Sequence, residues 1–285
     1  YCPVRRGPGN RVLFLVNRRN LVHDFAKRLN GLGIEHGVIM GNDPRRRPDL
    51  STHVASIDTL HRRSNVPPAD LLVIDETRFA VSPTWASVLA QYPHAKILGL
   101  DATPIRTDGR GLGEIYEYMV AGPSVDSLID KGFLVPSRVY APPGAPDTSA
   151  VKRTGGDMNQ KALAEICDRA KLTGDIVEHW QRLASDRKTV FFGVNLQHAQ
   201  HVAEAFRCAG TNFAYVDADT PDDERDRIWN DFDNGSLRGI ASCGVISFGW
   251  DRPICGCVIM GRPTDSLSVH MQQIGRGTRP YSGKS

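Results

Sequence analysis

The chain has 285 residues, of which 40% are apolar and 24% charged, and carries a formal net charge of +3. That balance excludes a disordered or membrane-embedded chain, and the length allows two domains of ordinary size, each burying its own core. So mild a basic excess does not by itself indicate a polyanionic partner, which leaves local arginine clusters to provide any such grip.

Apolar runs such as Val12 to Val16 and Leu71 to Ile74 fall far short of the ~20 residues that a membrane helix needs. No signal-peptide layout opens the chain, so an intracellular, cytoplasmic location is expected. Cys2, Cys167, Cys208, Cys243, Cys255 and Cys257 are scattered without a C-x-x-C pair, which fits a reducing compartment and no zinc site. Cys255 and Cys257 are expected on one face of a strand, as core thiols.

In chain order, short β-rich runs at Val12 to Val16, Gly37 to Met40, His53 to Ser56, Leu71 to Asp75 and Ile97 to Leu100 alternate with helical stretches. One helix carries the stripe Leu21, Phe25, Arg28 and Leu29, and another runs from Trp85 to Leu89. This rhythm predicts an α/β lobe on a parallel sheet. Pro142, Pro143, Gly144, Ala145 and Pro146 break every pattern, and the polar stretch to about Asn159 has no period. The rhythm then resumes, with helices over Lys161 to Ala184 and Leu196 to Ala209. Strands follow at Thr189 to Phe192, Phe213 to Asp217, Gly239 to Ser242 and Cys255 to Met260. The expected division is a first lobe at 1–143, a linker at 144–158 and a second lobe at 159–285.

The strand Leu71-Leu72-Val73-Ile74 delivers Asp75 and Glu76 at its C-terminal end, the edge at which open α/β sheets bind ligands. Paired acids there suit phosphate chemistry. Asp75 would hold Mg²⁺, often through water, and Glu76 would orient or deprotonate the attacking water. Taken alone, the dipeptide reads equally well as two solvated acids opening a loop.

Context comes 25 residues on, where Lys96 to Leu100 forms a strand ending in Asp101-Ala102-Thr103-Pro104. Together these segments resemble motifs II and III of superfamily 2 nucleic-acid helicases. Near the other end, His270-Met271-Gln272-Gln273-Ile274-Gly275-Arg276-Gly277-Thr278-Arg279 is similar to motif VI of that family. Its arginines, three apart, are expected on one helical face. Guanidinium groups neutralise charge on a transferring phosphoryl group, which makes Arg276 and Arg279 the candidate arginine fingers. Gly244 to Pro253 resembles motif V, Thr189 to Asn195 motif IV, Asn17 to Leu21 motif Ia and Ser56 to Leu60 motif Ib.

The resemblance implies two RecA-like lobes, each a mostly parallel sheet flanked by helices, that use ATP and Mg²⁺ between them to move along DNA or RNA, DNA being favoured. It places Gly249, Asp251 and Gln272 beside the nucleotide. Arg19, Ser56 and Thr59 fall on the nucleic-acid backbone, a grip that reads no sequence, and Thr103 couples hydrolysis to movement. The Arg45 to Arg47 run reads as solvated surface.

Four features depart from the family pattern. Thr77 and Arg78 stand where relatives have Ala-His or Ala-Asp, and Asp101 stands where they have Ser or Thr. Ser247 and Phe248 replace Thr and Glu. No Gly-x-x-x-x-Gly-Lys-Ser/Thr loop is present, and Gly7-Pro8-Gly9-Asn10 reads as an ordinary loop. The expectation is a chain cut at both ends that hydrolyses ATP poorly or not at all alone, with accessory domains or subunits of a restriction or repair motor elsewhere. The alternative is a non-enzymatic nucleic-acid-binding or regulatory module on a degenerate helicase fold.

Overall fold

The computed structural model describes residues 10–105, 111–141, 146–154, 157–246 and 250–284. The chain divides into two compact units, residues 1–120 and 121–285.

The first unit runs β1 (Val12–Val16), α1 (Arg19–Gly31), β2 (Gly37–Ile39), β3 (Thr52–Ser56), α2 (Ile57–His61), β4 (Leu71–Asp75), a 3₁₀ turn (Thr77–Phe79), α3 (Pro83–Leu89) and β5 (Lys96–Leu100). Its described strands form one parallel sheet in the order β2-β3-β1-β4-β5. Alternation along the central strands sends side chains to both faces. Leu13, Leu15, Leu72 and Ile74 pack with Leu60, Trp85 and Val88 on one side. On the other, Val16, Val38 and Val54 meet Val22, Ala26 and Leu29 of α1. Each such buried side chain contributes ~1.5–3 kcal/mol. Proline at the first position of α3 presets the helical φ and starts this helix two residues ahead of the expected Trp85.

The second unit runs α4 (Val125–Asp130), β6 (Arg153–Thr154), β7 (Asp157–Met158), α5 (Gln160–Cys167), α6 (Ala170–Leu183), β8 (Thr189–Phe192), α7 (Leu196–Cys208), β9 (Phe213–Val216), α8 (Asp222–Asn234), β10 (Gly239–Ser242), β11 (Cys257–Met260) and α9 (Leu267–Ile274). Strands β11-β8-β10-β9 form a parallel sheet in that order, and β6 and β7 pair as an antiparallel hairpin. Trp180, Phe206 and Phe213 fill one face of the sheet, and Phe192, Phe232, Ile240 and Trp250 fill the other. Phe213 lies over Gly239, where an added Cβ would meet its ring at 2.0 Å. Only glycine leaves that space open.

Three local expectations are corrected. The helix expected from Lys161 to Ala184 is two helices, α5 and α6. The chain bends at Asp168 (φ −88°, ψ 68°), whose carboxylate lies 2.9 and 3.0 Å from Nδ1 of His201 on α7. Helix α8 fell in a stretch read without an element. Its acidic first turn, Asp222, Asp223 and Glu224, suits the helix dipole, Ile228 and Phe232 bury one stripe, and Gly235 at φ 100° stops it. Cys255 precedes β11 instead of lying in it, because its N–H donates to the Arg252 carbonyl in a turn. The two sulfurs therefore do not share a strand face, although Cys255 is buried.

Residues 121–141 group with the second unit, where the Val135 N–H donates to the Thr278 carbonyl at 2.8 Å. Residues 142–145 and 155–156 of the proline- and glycine-bearing stretch lie outside the described residues. Among those described, no helix is long and apolar enough to cross a membrane.

Candidate active site

In the first unit, pairing of Asp75 with Leu100 across β4 and β5 brings the acid pair and Asp101 to the same sheet edge. Glu76 has φ 54° and ψ 50°, the one positive φ outside glycine among the described residues. A left-handed glutamate costs ~1–2 kcal/mol and persists only where its surroundings fix it. Here it turns the chain out of β4 into the 3₁₀ turn, so that Arg78 folds back onto the acids. Arg78 is ion-paired to Glu76 through Nη2 and Oε2, and its Nη1 lies 2.6 Å from Asp101 Oδ1. Its own backbone N–H donates to Asp101 Oδ2 at 3.0 Å, and the Thr103 N–H donates to Asp101 Oδ1 at 2.9 Å. The side chains of Arg78 and Asp101 are 7% and 1% exposed.

Burial pushes both Asp75 and Glu76 above their ordinary carboxylate values. For Asp75 the backbone N–H of Glu76 works against that rise, and for Glu76 the Arg78 charge does, while Asp101 reinforces both. Arg18, at the start of α1, is pushed down by burial and pulled up by the charge of Glu76. Two carboxylates raised in this way are a place where a divalent cation would be stabilised. No group of three or more His, Cys, Asp or Glu among the described residues could hold a metal. Asp75 and Glu76 are instead a donor set of the kind that holds Mg²⁺ with one or two carboxylates, water and substrate phosphate.

The other candidates of this unit lie outside that cluster. Arg19 is exposed in the first turn of α1, and Ser56 is buried where β3 passes into α2. Thr59 Oγ1 accepts from the Gly41 N–H at 3.0 Å, and Arg63 donates to the Gly41 carbonyl.

In the second unit, helix α9 ends at Ile274, so Arg276 and Arg279 follow the helix and do not share a helical face as expected. Bonds from the Gly275 N–H to Met271 and from the Gly277 N–H to Ile274 close a tight turn there. The turn still gathers the expected residues. Arg279 Nη1 lies 2.7 Å from Asp251 Oδ1, and Arg276 Nη1 donates to the Trp250 carbonyl at 2.5 Å. Gln272 is half-buried near the end of α9, whereas its neighbour Gln273 is buried. Gly249, with Ser247 and Phe248, lies outside the described residues.

Two arrangements in this unit were not foreseen. Asp157, in the hairpin, accepts from Arg262 Nη2, Thr264 Oγ1 and the Asp265 N–H, each at 3.0 Å, which ties the hairpin to the loop feeding α9. Lys284 Nζ donates to the carbonyls of Pro253 at 3.2 Å, Cys255 at 2.5 Å and Arg279 at 2.9 Å. Gly283-Lys284-Ser285 thus repeats the last letters of a phosphate loop, but Gly277 is one position too far upstream and the ammonium is engaged with carbonyls.

Residues 4–106 match the family model of the type III restriction enzyme res subunit, and residues 168–280 match that of the helicase conserved C-terminal domain. The chain belongs to the superfamily 2 helicases. Among its relatives is a 51.5 kDa protein of a Lactococcus phage (isolate 7-9), 31% identical over 95% of this chain and 57% of the relative. The helicase-family protein Irc3 of Saccharomyces cerevisiae is 29% identical, over 95% of this chain and 42% of its own length. This helicase chain therefore spans about half of each. The fragment structure of an HsdR subunit of a type I restriction enzyme from Vibrio vulnificus has the same fold, with a TM-score of 0.64 at 21% identity, covering 95% of this chain and 50% of that one. The two parallel sheets with flanking helices are the tandem RecA-like domains of such helicases.

Proposed function

We propose that the two units carry complementary parts of an ATP-dependent nucleic-acid motor that couples hydrolysis to movement along DNA or RNA, with DNA favoured. The observation that supports this reading most directly is the acid pair at the end of β4, with Glu76 fixed in a left-handed turn by its surroundings. Asp75 would hold Mg²⁺, the cation that the family implies, through water.

 When bound there, Mg²⁺ would draw charge from the phosphate oxygens of ATP. Glu76 would take the proton of the attacking water, and burial, by raising its pKa, makes its carboxylate a stronger base. Arg276 and Arg279, with Gly249, Asp251 and Gln272 beside the nucleotide, would neutralise the charge that builds on the transferring phosphoryl group. Thr103 would couple this chemistry to movement, while Arg19, Ser56 and Thr59 would face backbone phosphates. The loop and lysine that cradle ATP phosphates in relatives are not in this sequence, so this chain alone is expected to turn over ATP poorly or not at all.

A second reading, a non-enzymatic nucleic-acid-binding or regulatory module, is motivated by the departures from the family pattern at Asp101 and Phe248. One experiment separates the two. Nucleic-acid-stimulated ATP hydrolysis is measured for the chain alone, for the chain with the sequence encoded upstream of Tyr1, and for each with Glu76→Gln. Stimulated turnover by the extended protein, lost in Glu76→Gln, supports the motor. Binding without turnover in every form supports the module, and full activity of the chain alone would refute the role given to the missing loop.

A further inference from the structure

The two departures from the family pattern around the acid pair meet in space. Arg78 and Asp101 are 23 residues apart, and joined by the pairing of β4 with β5 they form an ion pair of 2.6 Å that solvent hardly reaches. Asp101 is fully engaged: it accepts from Arg78 Nη1, from the Arg78 N–H and from the Thr103 N–H. The other end of the guanidinium reaches Glu76. A planar fork with five donors can hold two carboxylates at once, which a lysine ammonium on its flexible stem does less rigidly.

We propose that Arg78 and Asp101 are a matched positioning pair that fixes the Glu76 carboxylate and links it, through Asp101, to the backbone of Thr103. The proposal rests on the reading of Glu76 as the base. The electrostatics require the pair to be matched. A neutral residue at 78 leaves Asp101 buried without its counterion, and a neutral residue at 101 leaves the guanidinium with one anion where it now has two. Removing one partner of a buried pair is strongly destabilising, whereas replacing both is often tolerated. Two residues that each look like a loss of the family pattern therefore form one compensated substitution.

The test uses the full-length protein in six forms: wild type, Arg78→His, Asp101→Thr, the double variant Arg78→His/Asp101→Thr, Arg78→Lys, and Glu76→Gln as control. Thermal unfolding gives a readout independent of nucleotide. Each of the first two single changes is expected to lower the midpoint of the first unit by about 4 °C or more, with the double variant recovering at least about half of the summed loss. In nucleic-acid-stimulated ATP hydrolysis, Arg78→Lys keeps the charge and is expected to fold, yet to lower kcat about tenfold with KM for ATP changed by less than about twofold. The double variant is expected to regain rate over either single change. Strictly additive midpoints, or Arg78→Lys at the wild-type kcat, overturn the pair while a dead Glu76→Gln control leaves the motor reading standing. A Glu76→Gln protein with wild-type turnover overturns the base assignment and this proposal with it.

Discussion

Replacing Asp157 with asparagine removes the charge from a junction that ties residues far apart in the second unit while keeping its shape. The carboxylate accepts from the Met158 N–H at 2.9 Å, and from Arg262 Nη2, Thr264 Oγ1 and the Asp265 N–H at 3.0 Å. Asparagine retains one acceptor oxygen for the two backbone donors, and the Thr264 hydroxyl can reverse to accept from the new amide. The Arg262 bond cannot be retained in this way, because donor would then face donor. A hydrogen bond to a charged group is worth ~1.5–3 kcal/mol, and the side chains are 26% and 16% exposed, so a loss of about 2 kcal/mol is expected. For a unit of this size that corresponds to a fall in Tm of roughly 4–8 °C, read by calorimetry on wild type and Asp157→Asn at neutral pH. Burial raises the Asp157 pKa, but the bonds from Met158, Asp265, Thr264 and Arg262 outweigh it and leave the value lowered. Stability from this group is therefore present above the ordinary aspartate value and is lost as pH falls through the folded value. The gap between the two proteins should narrow in acid. A shift below about 1 °C at neutral pH, or a gap that widens in acid, would refute the reasoning.

Gly239→Ala should destabilise the second unit by ~1–3 kcal/mol, because the new Cβ would lie 2.0 Å from a Phe213 ring already stacked at 3.9 Å on Phe206. Urea titration with an unchanged m-value is the check. Hydrogen bonds from Arg45 hold Asp43, and those from Arg11 hold Asp70, at pKa values of about 2 against the ordinary 3.8. Their contribution is present above 3.8 and is lost as pH falls through about 2. Acid titration of the first unit should therefore lose part of its slope in that window in Asp43→Asn, and an unchanged profile would count against the pair.

The strands were legible in the sequence because their burial is two-sided: Val12 to Val16, Leu71 to Asp75, Thr189 to Phe192 and Gly239 to Ser242 are strands with the expected bounds. What failed depends on partners distant in sequence or on sparse patterns. The bend at Asp168 has its hydrogen-bonding partner 33 residues away on another helix. Helix α8 carries only Ile228 and Phe232 as buried residues in an otherwise polar stretch, too thin a stripe to stand out. Arg276 and Arg279 follow a helix that spacing alone extends through them, and the glycines at 275 and 277 sit in the turn that ends it.

The site divides along the same line. Motif order nominates Asp75, Glu76, Arg276 and Arg279, and the structure puts the first two at a sheet edge and gives each arginine a partner in the segment of Trp250 and Asp251. The pairing of Arg78 with Asp101 could not be read from either residue, since each alone is a departure, and only the register of β4 against β5 makes them neighbours. That changes what Asp101 argues for. As an isolated substitution it favours a decayed module, but an aspartate that is 1% exposed and holds both Arg78 and the Thr103 N–H is a built arrangement. Unselected drift would have had to place opposite charges at two positions 23 residues apart and satisfy them with three hydrogen bonds. Of the departures that motivated the non-enzymatic reading, Asp101 therefore drops out, and Phe248 is left.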